Sequence, residues 1–256
     1  MMGVTPTVED RRVRPYPSVI IFSRRPQLVL DPHQEKAVEE ALAACRGTLY
    51  YPTGTGKSAI MGEVIRRLRV PTLVLVPTKV IQEQLHDALE QATGAPVGLM
   101  GDGKWDAGAD LVVATFQSIA RRLKGNKGML PSEKKRLKEA TLRTLEQYHC
   151  VVADEGHHIE AATFELVMKA LPNAYYRYAF SATPFKGGRA EDRETLLRVQ
   201  GWAGPVASYL SIAGGVETGR IVPADVPHQP RPEALGPKAH QLPGGGGRVH
   251  RPQRRA

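Results

Sequence analysis

The sequence predicts an α/β fold: a doubly wound, mostly parallel sheet, followed by a disordered C-terminal tail. Three observations carry that expectation. A glycine-rich stretch, Pro52-Thr53-Gly54-Thr55-Gly56-Lys57-Ser58, separates a β-prone segment (48–51) from a helix-prone one (59–68). Apolar runs of strand length at 72–76, 111–114, 150–153 and 178–180 alternate with helical stretches, the pattern of parallel strands covered on both faces. Each of these runs ends in small polar or acidic residues, at the carboxyl ends where doubly wound sheets bind their ligands.

Taken in order, residues 1–26 carry Pro6, Pro15, Pro17 and Pro26 and read as a loosely packed lead-in, with 19–22 as a short edge strand. Asp31 is placed to cap a helix that has Pro32 in its first turn and reaches Ala44; Ala37, Val38, Ala41, Leu42 and Cys45 recur at three- and four-residue steps on its buried face. After the glycine-rich loop and its helix, the strand at 72–76 is stopped by Pro77-Thr78. A helix at 79–92 follows, expected to turn Val80, Ile81, Leu85 and Leu89 inward. The strand at 111–114 is closed by Thr115-Phe116-Gln117-Ser118. A basic helical stretch opens at Pro131-Ser132, with Leu137, Leu142 and Leu145 along one side. The strand at 150–153 runs into Asp154-Glu155, and the one at 178–180 into Ser181-Ala182-Thr183-Pro184. From Pro223 onward come seven prolines, four consecutive glycines and hardly any large apolar residue, which predicts disorder for 223–256.

With 256 residues, 41% of them hydrophobic, the chain is long enough for one large or two small domains. Its two cysteines, Cys45 and Cys150, have no C-x-x-C spacing, so neither a disulfide framework nor a zinc site is expected and a reducing, cytoplasmic setting is the default. The apolar runs are too short to cross a bilayer and no leader opens the chain, so no membrane role is expected. The net charge of +9 favours polyanion partners. It is concentrated at 120–150, with nine Lys or Arg against three Glu, and at 221–256, with six against two acidic residues. The basic stretch at 121–143 suits a salt-sensitive, sequence-independent contact with nucleic acid, and equally suits a solvated helix face.

A strand that breaks at glycines and runs straight into a helix aims backbone N–H groups and the positive end of a helix dipole at one point, where a phosphate would rest. The Gly-Lys-Ser ending matches the P-loop pattern, in which Lys57 reaches the β and γ phosphates and the Ser58 hydroxyl ligates Mg²⁺. Tyr51 stands where that pattern has its first glycine. The bland alternative is a glycine-rich loop with a chance Lys-Ser behind it. Asp154, expected at the end of the strand beside the P-loop, can hold Mg²⁺ through its water shell, and Glu155 can orient or deprotonate an attacking water. Two adjacent acidic residues are also common on surfaces.

In order and approximate spacing, Gln34, residues 53–58, Pro77-Thr78, Ala114-Thr115-Phe116-Gln117-Ser118, Asp154-Glu155-Gly156-His157 and Ser181-Ala182-Thr183 resemble the Q motif and motifs I, Ia, Ib, II and III of superfamily 2 helicases. The Asp-Glu-x-His form followed by His158 looks most like the branch that holds phage, type III restriction and XPB-like DNA helicases. This resemblance implies a RecA-like first motor domain, at 27–200, that binds ATP and Mg²⁺ and couples hydrolysis to movement of nucleic acid, DNA more than RNA. Gln34 would then read the adenine and Thr53, Gly54, Thr55, Gly56, Lys57 and Ser58 would cradle the phosphates. Asp154 would hold the metal and Glu155 would be the catalytic base, with Lys57 and Asp154 completing the catalytic set. His157, Ser181 and Thr183 would couple the site to the rest of the motor, and Thr78, Lys79, Thr115 and Gln117 would hold the nucleic-acid backbone. Hydroxyl residues at strand ends also cap helices routinely, and His157 and His158 also read as loop histidines.

Such motors complete their ATP site with an arginine from a second RecA-like domain. Residues 201–222 resemble the connector that leads into it, and the roughly 70 residues after motif III are too few to form one. The Gly247-Arg248-Val249-His250-Arg251-Pro252 stretch is only faintly similar to motif VI. The expectation is a truncated motor that binds ATP weakly and hydrolyses it little. The alternative is a nucleotide-dependent binding module that docks on a partner supplying the second domain. Asp-Glu-x-His and Ser-Ala-Thr have no role in a kinase or GTPase, which disfavours those readings of the P-loop.

Overall fold

The computed structural model describes residues 13–17, 29–182 and 190–222, with the backbone alone for residues 190–193 and 196. The expected edge strand at 19–22, Thr183, the motif-VI-like stretch at 247–252 and the whole tail at 223–256 lie outside the described residues.

The chain begins with α1 (Pro32–Ala44), β1 (Arg46–Tyr50), α2 (Lys57–Leu68), β2 (Thr72–Val76) and α3 (Lys79–Thr93). It continues through β3 (Gly98–Gly101), β4 (Lys104–Trp105), β5 (Leu111–Thr115), α4 (Phe116–Lys124) and α5 (Pro131–Leu145). Then come β6 (Cys150–Asp154), α6 (Ala161–Lys169), β7 (Tyr176–Ser181), α7 (Ala190–Ala203), β8 (Val206–Tyr209) and α8 (Ile212–Glu217). The eight strands make one sheet in the order β4-β3-β5-β2-β6-β7-β1-β8. Every neighbouring pair is parallel except the short β3–β4 hairpin. This is the doubly wound, mostly parallel α/β architecture that the alternation of apolar runs and helices predicts. No helix among the described residues is long and apolar enough to cross a membrane.

The sequence explains the layering. All five residues of β2, β5 and β6 are buried, because successive side chains of a strand point to opposite faces and both faces here are covered. Val74 and Val76 join Ile60, Val64, Leu85 and Leu89 of α2 and α3 in one core; Leu73 and Leu75 join Phe116, Ile119, Phe164 and Val167 of α4 and α6 in the other.

Four details differ from the expectations. Val80 is 63% exposed, while Gln82 is buried in its place and donates from Nε2 to Val113 O at 2.8 Å and to Met100 O at 3.2 Å. The face of α3 that meets the sheet is 82, 85 and 89, and Val80 falls off it at helical spacing, so its apolar character is a poor guide to its orientation. Second, β6 is not the neighbour of β1: β7 lies between them and pairs with both. Third, residues 201–222, expected as a connector, add β8 and α8 to the same compact unit, with Thr48 N donating to Pro205 O and Leu210 N to Tyr50 O. Fourth, the basic stretch is two helices, α4 and α5; in α5 only Thr141 and Leu145 are buried and Leu137 and Leu142 are half-buried.

One ionic cluster locks α1 to α2. The Glu63 carboxylate, fully buried, accepts from Arg66 in a bidentate pair at 2.6 and 2.8 Å and from Arg67 Nε at 2.7 Å, and Arg67 also reaches Glu35 and Glu39 of α1. Burial pushes the Glu63 carboxyl up, but the hydrogen bonds from Arg66 and Arg67 outweigh it and hold it at about 2, below its ordinary 4.5. A depressed carboxylate contributes stability above its unfolded pKa and loses it as pH falls. Replacing Glu63 by Ala should therefore lower the unfolding free energy at pH 7 by about 3 kcal/mol, read from urea denaturation. The gap to wild type should close as pH falls from 4.5 toward 2.

Candidate nucleotide-binding site

Because β5, β2, β6, β7 and β1 are consecutive and parallel, their carboxyl ends form one rim. Along it lie, in order, Thr115, Thr78, Asp154 with Glu155, Ser181, and the loop after β1. The three motifs that the sequence separates by up to about 130 positions are therefore neighbours in space.

The loop after β1 is shaped by two residues in the left-handed region, Gly54 at φ 88° and Gly56 at φ 81°. At Gly56 a Cβ would also come within 2.2 Å of Gln34 Nε2 and displace that amide. Thr55, buried, closes the turn by donating from Oγ1 to Pro52 O at 2.7 Å. Gly56 caps α2 without a side-chain acceptor, and no acidic residue sits in the first turn, so the positive end of the helix is left for a ligand. Tyr51, the departure from the P-loop pattern, turns its ring into the core and its hydroxyl to Ser208 Oγ at 2.8 Å, leaving the cradle itself unobstructed.

Lys57, in the first turn of α2, reaches across the end of β7 to Glu155 Oε1 at 2.8 Å. The same oxygen accepts from Ala182 N at 3.0 Å, and Glu155 N donates to Phe180 O at 2.9 Å. Glu155 is held in the left-handed region at φ 49°, a conformation that costs a non-glycine residue about 1–3 kcal/mol. His157 Nδ1 lies 3.4 Å from Glu155 Oε2 and 3.4 Å from Ser181 Oγ. Burial, then the neighbouring His158, lower the His157 pKa, with Glu155 opposing them, which favours a neutral imidazole.

Asp154 ends β6 at 8% exposure, and its Oδ1 has no hydrogen-bond partner among the described residues. Burial, followed by repulsion from Glu155, pushes its carboxyl up to about 6, and Lys57 offsets only part of this. A buried carboxylate oxygen without a donor is costly, and a metal-bound water would supply the donor it lacks. The hard oxygen donors of Ser58, half-buried at the start of α2, and Asp154 suit Mg²⁺.

The structure thus gathers Lys57, Glu155, His157 and Ser181 into one cluster, with Asp154 adjacent in the chain. Gln34 is elsewhere employed. At 4% exposure it donates from Nε2 to Thr55 O at 3.0 Å and accepts on Oε1 from Asp31 N at 3.0 Å, bracing the loop against α1. Thr78 and Thr115 cap α3 and α4, accepting from Ile81 N at 3.3 Å and Ser118 N at 3.2 Å. Lys79, exposed, pairs with Asp102, and Gln117 is exposed in the first turn of α4. These four follow β5 and β2, on the side of Asp154 away from the phosphate loop. Sequence reasoning missed the contacts of His33 Nε2 with Thr55 O at 3.2 Å and of Arg220 Nε with Asp31 Oδ2 at 2.6 Å; Gly219-Arg220 carries no motif that would have pointed there.

The sequence profile of the family described as type III restriction enzyme, res subunit, matches residues 27–186. The DNA 3'-5' translocase XPB2 of Sulfurisphaera tokodaii is 25% identical over 179 residues, covering 69% of this chain and 35% of that protein, so the chain spans about a third of the relative's length. Among solved structures, the UvsW helicase of bacteriophage T4 is similar with a TM-score of 0.55 at 20% identity, over 73% of this chain and 63% of that one. The SWI2/SNF2 ATPase core of Sulfolobus solfataricus, solved in complex with dsDNA, gives 0.51 at 16% identity, over 73% and 38%. At these identities the structural likeness concerns the fold.

If the unpartnered Asp154 carboxylate is a cost kept for a ligand, D154N should raise the unfolding free energy of the metal-free protein at pH 7.5 by about 2 kcal/mol. Urea denaturation in EDTA reads this directly, and an unchanged or lowered value would mean that the carboxylate is already compensated.

Proposed function

The chain belongs to the family of the type III restriction enzyme res subunit, and from that membership we propose that its helicase-like motor domain binds Mg²⁺-ATP and couples hydrolysis to movement on DNA. The contact that supports this best is Lys57 to Glu155 across the end of β7, at 2.8 Å. It holds the base and the phosphate-binding cation within reach of one ligand. In this reading the loop amides and Lys57 take the β and γ phosphates, while Thr53 to Ser58 wrap them. Ser58 and Asp154 would hold Mg²⁺, which when bound would supply neutralisation of the phosphate charge.

Glu155 accepts the proton of the attacking water. Without nucleotide its Oε1 is occupied by Lys57 and Ala182 N, so the base is restrained. An incoming phosphate competes for Lys57 and releases it. His157, touching both Glu155 and Ser181, then carries the change to the end of β7 and so to Thr183, the next part of the motor. Thr78, Lys79, Thr115 and Gln117, following β2 and β5 on the side of Asp154 away from the phosphate loop, are proposed to hold the DNA backbone. DNA is proposed over RNA because the translocase relative is named for DNA. A second RecA-like domain, from this protein or a partner, is proposed to supply the arginine that completes the site. On this account the described domain alone binds nucleotide and turns it over slowly.

Titration with a fluorescent ADP analogue and Mg²⁺ should give saturable binding that K57A weakens at least about tenfold. E155Q should keep binding and lower single-turnover hydrolysis by about 10²-fold or more. Equal affinity of K57A and wild type would overturn the assignment.

A further inference from the structure

The order of strands fixes which way a nucleotide must lie. Asp154 and Glu155 follow β6, on the β7 side of β1, and Lys57 leans toward them. A triphosphate on the loop therefore has its γ end toward β6, and its nucleoside must extend the other way, past β1 toward β8. That side is built by residues to which no role has been given. After β8 the chain turns through α8 and returns against the loop: the Arg220 carbonyl oxygen is 3.4 Å from where a Cβ on Gly54 would stand, and Thr55 Cγ2 is 3.6 Å from the corresponding point on Gly215. Arg220 N and Ile221 N both donate to Gly215 O at 3.0 Å, which fixes this turn.

Arg220 Nε donates to Asp31 Oδ2 at 2.6 Å. Asp31 is the N-cap of α1, its own N–H is held by Gln34, and Gln34 holds Thr55 O, so the guanidinium is wired to the phosphate loop through three contacts. A guanidinium paired by its edge keeps its planar faces for stacking, and the Arg220 side chain is 44% exposed. Gln34, by contrast, is 4% exposed with both ends of its amide engaged within the protein.

We propose that Arg220, anchored by Asp31, is the base-contact residue of this site, stacking on the purine of the bound nucleotide. This rests on the nucleotide reading above, and the test separates the two by using a ligand without a base. Isothermal titration of the same chain with Mg²⁺ and ADP, CDP or inorganic tripolyphosphate is compared for wild type, R220A, R220K and K57A. R220K keeps the charge beside Asp31 and removes the plane.

The expected result is that R220A and R220K each weaken ADP at least about fivefold, weaken CDP less, and leave tripolyphosphate within about twofold. ADP affinity unchanged in R220A, or ADP and tripolyphosphate weakened equally, would overturn the assignment while leaving the P-loop reading intact. Failure of wild type to bind tripolyphosphate more tightly than K57A would instead overturn the P-loop reading, and this inference with it.

Discussion

The feature on which the rest depends is the insertion of β7 between the strand that feeds the phosphate loop and the strand that ends in Asp154. Neighbouring strands lie about 4.8 Å apart, so one intervening strand separates the two functional ends by roughly 10 Å. A Lys57 side chain from one side and a Glu155 side chain from the other can close that gap, and they do, meeting over the last residues of β7. If β6 lay directly beside β1, there would be less room for a metal-bound triphosphate between them. The parallel arrangement is equally necessary, because only parallel neighbours deliver all their carboxyl ends to one rim.

The site departs from what stability alone would select. The Asp154 carboxylate is buried with an oxygen unpartnered, Glu155 occupies a left-handed conformation, and the loop holds Gly54 and Gly56 at positive φ, where a side chain would be strained. Elsewhere some buried polar groups are fully engaged, although His33 Nδ1, Arg198 Nε and Trp202 Nε1 also lack a hydrogen-bond partner among the described residues. Glu63 receives three hydrogen bonds from Arg66 and Arg67, and Gln82 spans two strand carbonyls. What sets the rim apart is that its unpartnered buried atom belongs to an acid, at the strand end that faces the Lys57–Glu155 pair, where a ligand would finish the structure.

The fold and the motif positions were legible because they depend on local chain properties. Continuous apolar runs specify buried parallel strands, and Gly-Lys-Ser after a strand specifies a phosphate-shaped turn. The lateral order of the strands was not legible, since nothing in 150–154 or 176–181 names its neighbour; Asp154 was accordingly expected one strand too close to the loop. Val80 was misplaced because hydrophobicity was given more weight than the phase of α3. The 204–222 region carries four glycines and its strand and helix are short, so they left little periodic trace; β8 is an edge strand with only Ser208 buried, held by its pairing with β1. The pairing of Arg220 with Asp31 spans 189 positions and rests on an ordinary surface arginine, which gives it no local signature. Thr78 and Thr115, expected on the nucleic-acid backbone from their resemblance to motifs Ia and Ib, act in the structure as the N-caps of α3 and α4.

The central claim is that Lys57, Asp154 and Glu155 surround a single Mg²⁺-bound triphosphate. A crystal structure of the chain with Mg²⁺ and a non-hydrolysable ATP analogue tests it most directly. The account predicts the γ-phosphate between the loop and the end of β6, with Lys57 turned from Glu155 onto phosphate and the metal within water-bridging reach of Asp154. Phosphate density elsewhere, or a Lys57–Glu155 pair undisturbed by bound nucleotide, would contradict it.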